Sequence, residues 1–326
     1  MLGFNDEKDT LYLDEYKEKS LDIVSISGLS NVEWDKVFDS FKRLVEPSAH
    51  HKKLTSKLLT ETHLSDHLRQ VLLGENPGLR KVQSILLRAM SEKKHLIHIR
   101  SLGLKYKSAD EQAIGFAAIS LTMGLPLAAD KESGKVVWDV MNRERRSSAY
   151  PTFSEGTGEA AYHTDTAFYK WPARYFGLYC RKPAVCGGGV NRFCNAAELR
   201  RRLTGDPAYS WIVKTLCETN AIFRVPSSFM KGNGEEFVEA RVFDDDIAIR
   251  LRLDSIVKGF QLKYGRQDEK LLRAINDFLF LADMPENRIK IKLEEDSAIY
   301  INNHEVLHYR DRFTDSARHL MRIWLK

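Results

Sequence analysis

Residues that belong together chemically stand far apart in this chain: His163-Thr164-Asp165 near its middle, His308 near its end, and Arg322 beyond that. Any fold that uses them jointly has to bring the middle and the end of the chain side by side. Two neutral imidazoles and one carboxylate on one face of a metal leave the opposite positions open to exchangeable ligands. An H-x-D tripeptide by itself carries little weight in a chain with ten histidines. Its bland reading is a hydrogen-bonded pair in a loop.

Context strengthens the metal reading. The tripeptide follows a loop carrying Gly156 and Gly158 and precedes an apolar run, Tyr175 to Cys180, with strand character. That run leads through Lys182-Pro183 into a Gly187-Gly188-Gly189 turn. Near the C-terminus, Ser297 to Asn303 reads as a buried strand entering a polar turn, followed by Val306-Leu307-His308-Tyr309-Arg310. The last segment, Arg318 to Leu325, alternates cleanly. With a period of two, Arg318, Leu320, Arg322 and Trp324 share one face, and His319, Met321, Ile323 and Leu325 the other. Apolar neighbours on its own face predict an interior position for Arg322, and a buried arginine needs an anion. Arg318 has the same facing at the strand's start and reads equally as a surface residue or a second anion contact.

At H-T-D, the glycine turn, N-N-H-E-V-L-H-Y-R and R-H-L-M-R-I-W-L, the sequence resembles the taurine dioxygenase and clavaminate synthase-like branch of the iron(II)- and 2-oxoglutarate-dependent oxygenases. The resemblance spans about residues 95 to 326. It implies a double-stranded β-helix (jelly-roll) core with flanking helices, mainly β. It also implies ferrous iron on His163, Asp165 and His308, with the distal carboxylate of 2-oxoglutarate on Arg322. His304 competes for the third ligand position, and the family pattern favours His308. Two imidazoles and a carboxylate leave room on iron for 2-oxoglutarate and O2. A guanidinium grips a carboxylate with paired charge-assisted hydrogen bonds better than a lysine does.

Where many relatives carry a threonine that donates to 2-oxoglutarate, this chain has Asn191, whose amide can donate the same bond or serve an ordinary turn. Halogenating relatives replace the metal carboxylate by a small residue. Asp165 is intact, so the resemblance implies hydroxylation or a related oxidation, with desaturation and cyclisation sharing the same ligands. The expected substrate is a small polar metabolite, an amino acid or derivative. In amino-acid hydroxylases of this group a strand with an arginine and an aspartate lines the substrate pocket, which makes Arg250, Arg252 and Asp254 candidates; a solvent-facing alternation is the competing reading. A zinc hydrolase on the same ligands and a catalytically silent metabolite-binding barrel are the alternative functions.

The rest of the chain frames this site. Helical spacing predicts helices at Trp34 to Val45 and near 54–73 and 79–92, so residues 1–93 read as a helical N-terminal region packing on a core at 94–326. A strand at Leu96 to Leu104 is expected next, then a helix from Ala109 to Met123 ended by Gly124-Leu125-Pro126, glycine for its left-handed freedom and proline for its missing donor. Further strands are expected at Val136 to Val140 and over 249–254. A polar stretch at about 223–248 reads as a lid-like insert that could exclude water. His63 and His67, one helical turn apart, lack a third ligand and read as surface histidines. The net charge of +5 is spread without a basic stripe, so nucleic acid is not expected as a partner. No apolar run is long enough to span a bilayer, and Met1 to Ser20 does not read as a signal peptide, so a cytoplasmic protein is expected. The four cysteines, Cys180, Cys186, Cys194 and Cys217, form no C-x-x-C pair and read as reduced thiols.

Overall fold

Alternation along the C-terminal strand sets the plan of the molecule, because its two faces are buried in two different hydrophobic clusters. Leu320 and Trp324 face the cluster that contains the candidate site. Met321, Ile323 and Leu325 face a second cluster packed by helices. The next two strands across the sheet divide in the same way: Phe176, Leu178 and Cys180 against Tyr175 and Tyr179, and Ile299 and Ile301 against Ala298 and Tyr300. A sheet covered on both faces needs apolar side chains at both phases of its period, and these strands supply them.

The computed structural model describes residues 12–27, 32–45, 59–129, 134–142, 153, 156–226, 229 and 235–326. In chain order the elements begin with strands β1 (Tyr12–Glu18) and β2 (Leu21–Ser27), then helices α1 (Trp34–Val45), α2 (Thr62–Glu75) and α3 (Pro77–Ser91). Next come β3 (Leu96–Ile99), α4 (Ala109–Met123), β4 (Pro126–Leu127), β5 (Trp138–Met141), β6 (Ala160–His163), β7 (Tyr175–Lys182) and β8 (Asn191–Asn195). Helices α5 (Ala196–Thr204) and α6 (Ser210–Glu218) lead to β9 (Asn220–Arg224) and β10 (Phe237–Arg241). The chain ends with α7 (Leu253–Tyr264), α8 (Glu269–Ala282), β11 (Arg288–Ile291), β12 (Ala298–Asn302), β13 (Val306–Arg310) and β14 (His319–Leu325).

The large sheet runs β1-β2-β3-β12-β7-β14-β4, with β5 also pairing β14. A four-stranded sheet runs β11-β8-β13-β6, and β9 and β10 form a separate hairpin. The fold is therefore mainly β with helices flanking it. Helix α4 starts at a complete capping box, Ser108 with Glu111, and every residue from Gly115 to Met123 is buried.

Several expectations need correction. The region before residue 93 is not purely helical, since β1 and β2 precede the three helices and β2 pairs in parallel with β3, tying this region into the core sheet. β1 is an edge strand dominated by exposed charged residues, which hides its strand character from a hydrophobicity reading. Gly124 does stop α4, but in extended conformation rather than left-handed. What requires glycine there is space, because a Cβ would lie 2.7 Å from the Lys326 carbonyl. The expected strand over 249–254 is absent: Arg252 makes a single bridge to His163, and Leu253 already begins α7 with Asp254 in its first turn. The insert at 223–248 holds the end of β9, all of β10 and a buried Phe229; residues 227–228 and 230–234 lie outside the described residues, as does a short basic cluster of the sequence, Arg143, Arg145 and Arg146.

Candidate active site

His163 closes β6 and His308 sits in β13, the strand beside it, and the two residues face each other directly across the antiparallel ladder. Cross-strand partners are the nearest side chains a sheet offers, so the pairing brings the imidazole centroids to 4.1 Å. Asp165 comes two residues later, in a turn stapled by Asn303. The Asn303 Oδ1 accepts from the Asp165 amide at 2.8 Å, while its Nδ2 donates to the carbonyls of Asp165 at 2.9 Å and Ala173 at 2.8 Å. Thr166 takes positive φ in the same turn, and its hydroxyl accepts from the Ala173 amide.

The geometry fixes which atoms point inward. His163 Nδ1 lies 2.8 Å from the Ala161 carbonyl, which keeps the proton on that nitrogen and leaves the Nε2 lone pair free. Both Nε2 atoms converge on one carboxylate oxygen, Asp165 Oδ1, at 3.4 Å from His163 and 3.7 Å from His308. The other oxygen, Oδ2, is occupied by the Trp324 indole N–H at 2.6 Å and by Arg322 Nη1 at 3.5 Å. Burial would raise the Asp165 pKa, but the Arg322 guanidinium and the two imidazoles outweigh it and hold the carboxyl well below its ordinary range. Burial, reinforced by His163, lowers His308 to about 4, so it is a neutral ligand at pH 7. The three candidate ligand atoms lie within 4.8 Å of one another, and among the described residues this is the one such cluster. Two imidazole nitrogens and one carboxylate oxygen at this spacing fit ferrous iron.

The remaining sequence candidates divide. His304 is excluded from the cluster, its Nε2 lying 3.2 Å from the Pro172 carbonyl. Among the described residues, His63 and His67 on α2 belong to no such cluster. Arg322 and Arg252 both line the cavity at Asp165, with Phe153, Phe168, Phe229 and Trp324 as its aromatic walls. Arg252 donates to both oxygens of Asp254, at 3.1 and 3.4 Å, and in Asp254 this partner outweighs burial and lowers the pKa. Arg250 does not line this cavity; it is buried and donates to the Lys170 carbonyl.

Arg318 and Asn191 meet in a second cavity, lined also by Gly189, Leu293 and Leu320. Arg318 Nη1 and Asn191 Nδ2 are buried donors with no hydrogen-bond partner among the described residues. Burial lowers the Arg318 pKa to about 10. Gly189 makes the approach possible: its φ is +71°, and a Cβ would lie 2.9 Å from Arg318 Nε.

Residues that the sequence reading passed over complete the site. Trp324 and Asn303 were visible only as strand and turn residues, although both fall inside the motif segments. Phe153 lies tilted against His163, ring centroids 4.9 Å apart, and covers the Arg252 guanidinium at 4.6 Å. Arg310, two residues after His308, donates to the carbonyls of Phe153, Gly156 and Gly158 and so shapes the loop before β6. No signal short of the folded contacts linked Arg310 to that loop.

With this geometry in view, the comparison with family models is decisive. The model of the taurine catabolism dioxygenase TauD, TfdA family matches residues 64–324. The chain belongs to this family. As a TauD/TfdA-family member it is an iron- and 2-oxoglutarate-dependent dioxygenase that uses O2. No curated protein matches the sequence. Among solved structures, asparagine oxygenase in complex with Fe(II), 2S,3S-3-hydroxyasparagine and succinate is similar over 90% of both chains, with a TM-score of 0.62 and 18% identity. The non-haem iron oxygenase OrfP with Fe, succinate and (3R,4R)-dihydroxy-L-Arg covers 93% of this chain and 94% of its own, with a TM-score of 0.63 and 14% identity. At these identities the likeness is one of fold. No helix among the described residues is long and apolar enough to cross a membrane.

Proposed function

We propose that this TauD/TfdA-family enzyme hydroxylates an unactivated carbon of a small amino acid or amino-acid derivative, coupled to conversion of 2-oxoglutarate into succinate and CO2. The observation that carries the reading is the convergence of His163, His308 and Asp165 Oδ1 beside a cavity with buried cationic walls. These three residues would hold the iron. When bound, iron and 2-oxoglutarate supply the O2 activation that attack on an unactivated C–H bond needs, chemistry no side chain here offers. The protein's own groups bind, orient and exclude water. The Trp324 N–H and Arg322 hold Oδ2, leaving Oδ1 as the single ligating oxygen.

The distal carboxylate of 2-oxoglutarate is assigned to Arg318 and Asn191 rather than to Arg322. Two buried donors without partners in one cavity call for an anion, and a guanidinium with a side-chain amide matches a carboxylate. Arg322 instead stands at the metal-facing cavity, where it can meet a substrate carboxylate. Two fold neighbours were solved in complex with hydroxylated asparagine and hydroxylated arginine, which supports an amino acid as the substrate class. The large sheet and the four-stranded sheet that carries both histidines bury side chains in one shared hydrophobic cluster, which supports a double-stranded β-helix core. An intact Asp165 favours hydroxylation over halogenation, and desaturation or cyclisation would use the same ligands.

The test is a screen of amino acids with ferrous iron, 2-oxoglutarate and air, scored by succinate and by a product heavier by one oxygen atom. Succinate release that depends on an amino acid and matches such a product is the expected result. Turnover that persists with zinc in place of iron, or without O2, would refute the reading.

A further inference from the structure

The cavity beside Asp165 holds more positive charge than a neutral amino acid can balance. Its lining includes two buried guanidiniums, Arg252 and Arg322, and Asp165 is the carboxylate among the lining residues. With the proposed cofactors in place, ferrous iron and the 2-oxoglutarate dianion cancel. Asp165 then balances one of the three buried arginines Arg252, Arg318 and Arg322, and Asp254 balances another. One positive charge remains, and in an enclosed, aromatic-walled site it is poorly screened. Lys292 at the second cavity is exposed and solvated.

Arg252 is also built as a receptor. Asp254 pins its Nε and Nη2, and the rings of Phe153 and Phe168 lie 4.6 and 5.7 Å from its guanidinium carbon. Its Nη1 makes no hydrogen bond among the described residues, which leaves the end-on fork of Nη1 and Nη2 directed away from Asp254. A guanidinium fixed on one edge and free at its end is preorganised for a planar carboxylate.

We infer that the substrate is an amino acid carrying a second acidic group, with one carboxylate on Arg322 and the other on Arg252. The inference rests on the amino-acid hydroxylation proposed above and names the charge class that the same site selects. The loss of a hydrogen-bond acceptor or a charge against a fixed polar site is strongly discriminated, whereas a missing methylene is not.

The test compares isosteric pairs on the iron-loaded enzyme with 2-oxoglutarate: L-aspartate against L-asparagine, and L-glutamate against L-glutamine, with L-arginine as the cationic control. In at least one pair the acid should exceed its amide by about tenfold or more in kcat/KM. Arg252→Gln should bring the members of that pair close together, chiefly through KM for the acid, while Arg252→Lys keeps part of the preference and shows that the pocket has survived substitution. A wild-type preference for the amides or for L-arginine, or an acid preference that survives Arg252→Gln, would overturn the inference and leave amino-acid hydroxylation standing. If none of these compounds is oxidised, hydroxylation of such free amino acids fails. The charge claim is then decided by equilibrium binding of the same pairs to the iron-loaded enzyme under argon, where equal affinity of acid and amide would sink it.

Discussion

The two cavities on the site-facing side of β14 bury the same kind of group and balance it differently. At Asp165, each guanidinium has an acid of its own: Arg322 has Asp165 and Arg252 has Asp254. At Asn191, Arg318 has an amide, the face of Phe313 and a neighbouring thiol, and no carboxylate forms an ion pair with it among the described residues. A buried charge that the chain leaves unpaired is costly. Where the chain supplies a counter-charge, it fixes one edge of the guanidinium and leaves the rest to meet a ligand; where it supplies none, the whole group faces an anion from solution.

The sharpest way to break this comparison is to remove the acid that serves as both counter-ion and ligand. Asp165→Ala should reduce 2-oxoglutarate-dependent turnover to background and abolish tight iron binding, measured by succinate release and by metal titration. The next test separates the two arginines. Arg318→Leu removes one member of a buried charge pair, typically about 3–5 kcal/mol, and so should weaken 2-oxoglutarate binding more than a hundredfold. Arg322→Leu should instead act mainly on the substrate, with a much smaller change in 2-oxoglutarate affinity. Equal effects of the two variants on 2-oxoglutarate would erase the distinction between the cavities.

A smaller effect is expected where the scaffold role is purest. Trp324→Phe keeps the ring and deletes the N–H that holds Asp165 Oδ2, so iron affinity should fall about tenfold, the usual scale for losing a group that orients a metal ligand. The smallest lies at the edge of the sheet. His319 bonded to Asp139, with Lys135 adding to it, depresses the Asp139 pKa. A depressed carboxyl contributes stability above its ordinary pKa near 4, and that contribution is lost as pH falls through the native value. Asp139→Asn should therefore lower stability at neutral pH by about 1 kcal/mol or less and flatten the loss on acidification below pH 4, read from urea unfolding at several pH values.

Much of the architecture was legible because it rests on periodicity. The end of α4 followed from a glycine-proline stop, and the two faces of β14 followed from strict alternation. The metal cluster was legible because its residue types are rare in combination. The assignment of Arg318 and Arg322 to different cavities was not, since a period of two puts both on one face. The difference arises from the Gly189 turn against Arg318 and from the register shift between His319 and Leu320, neither of which a linear pattern encodes. Arg252 was recognisable as a candidate but not as a bridge residue before a helix. The β1–β2 hairpin escaped because charged edge strands lack the apolar rhythm on which the reading depended.

The direct opposition of His163 and His308 on neighbouring strands has a consequence for how this enzyme fails. Sliding β13 by one position against β6 would turn His308 to the opposite side of the sheet. A single-residue insertion between Asn303 and Val306 would therefore empty the site of metal even in a chain that still folds. Iron content then reports strand alignment more sensitively than any global melting curve.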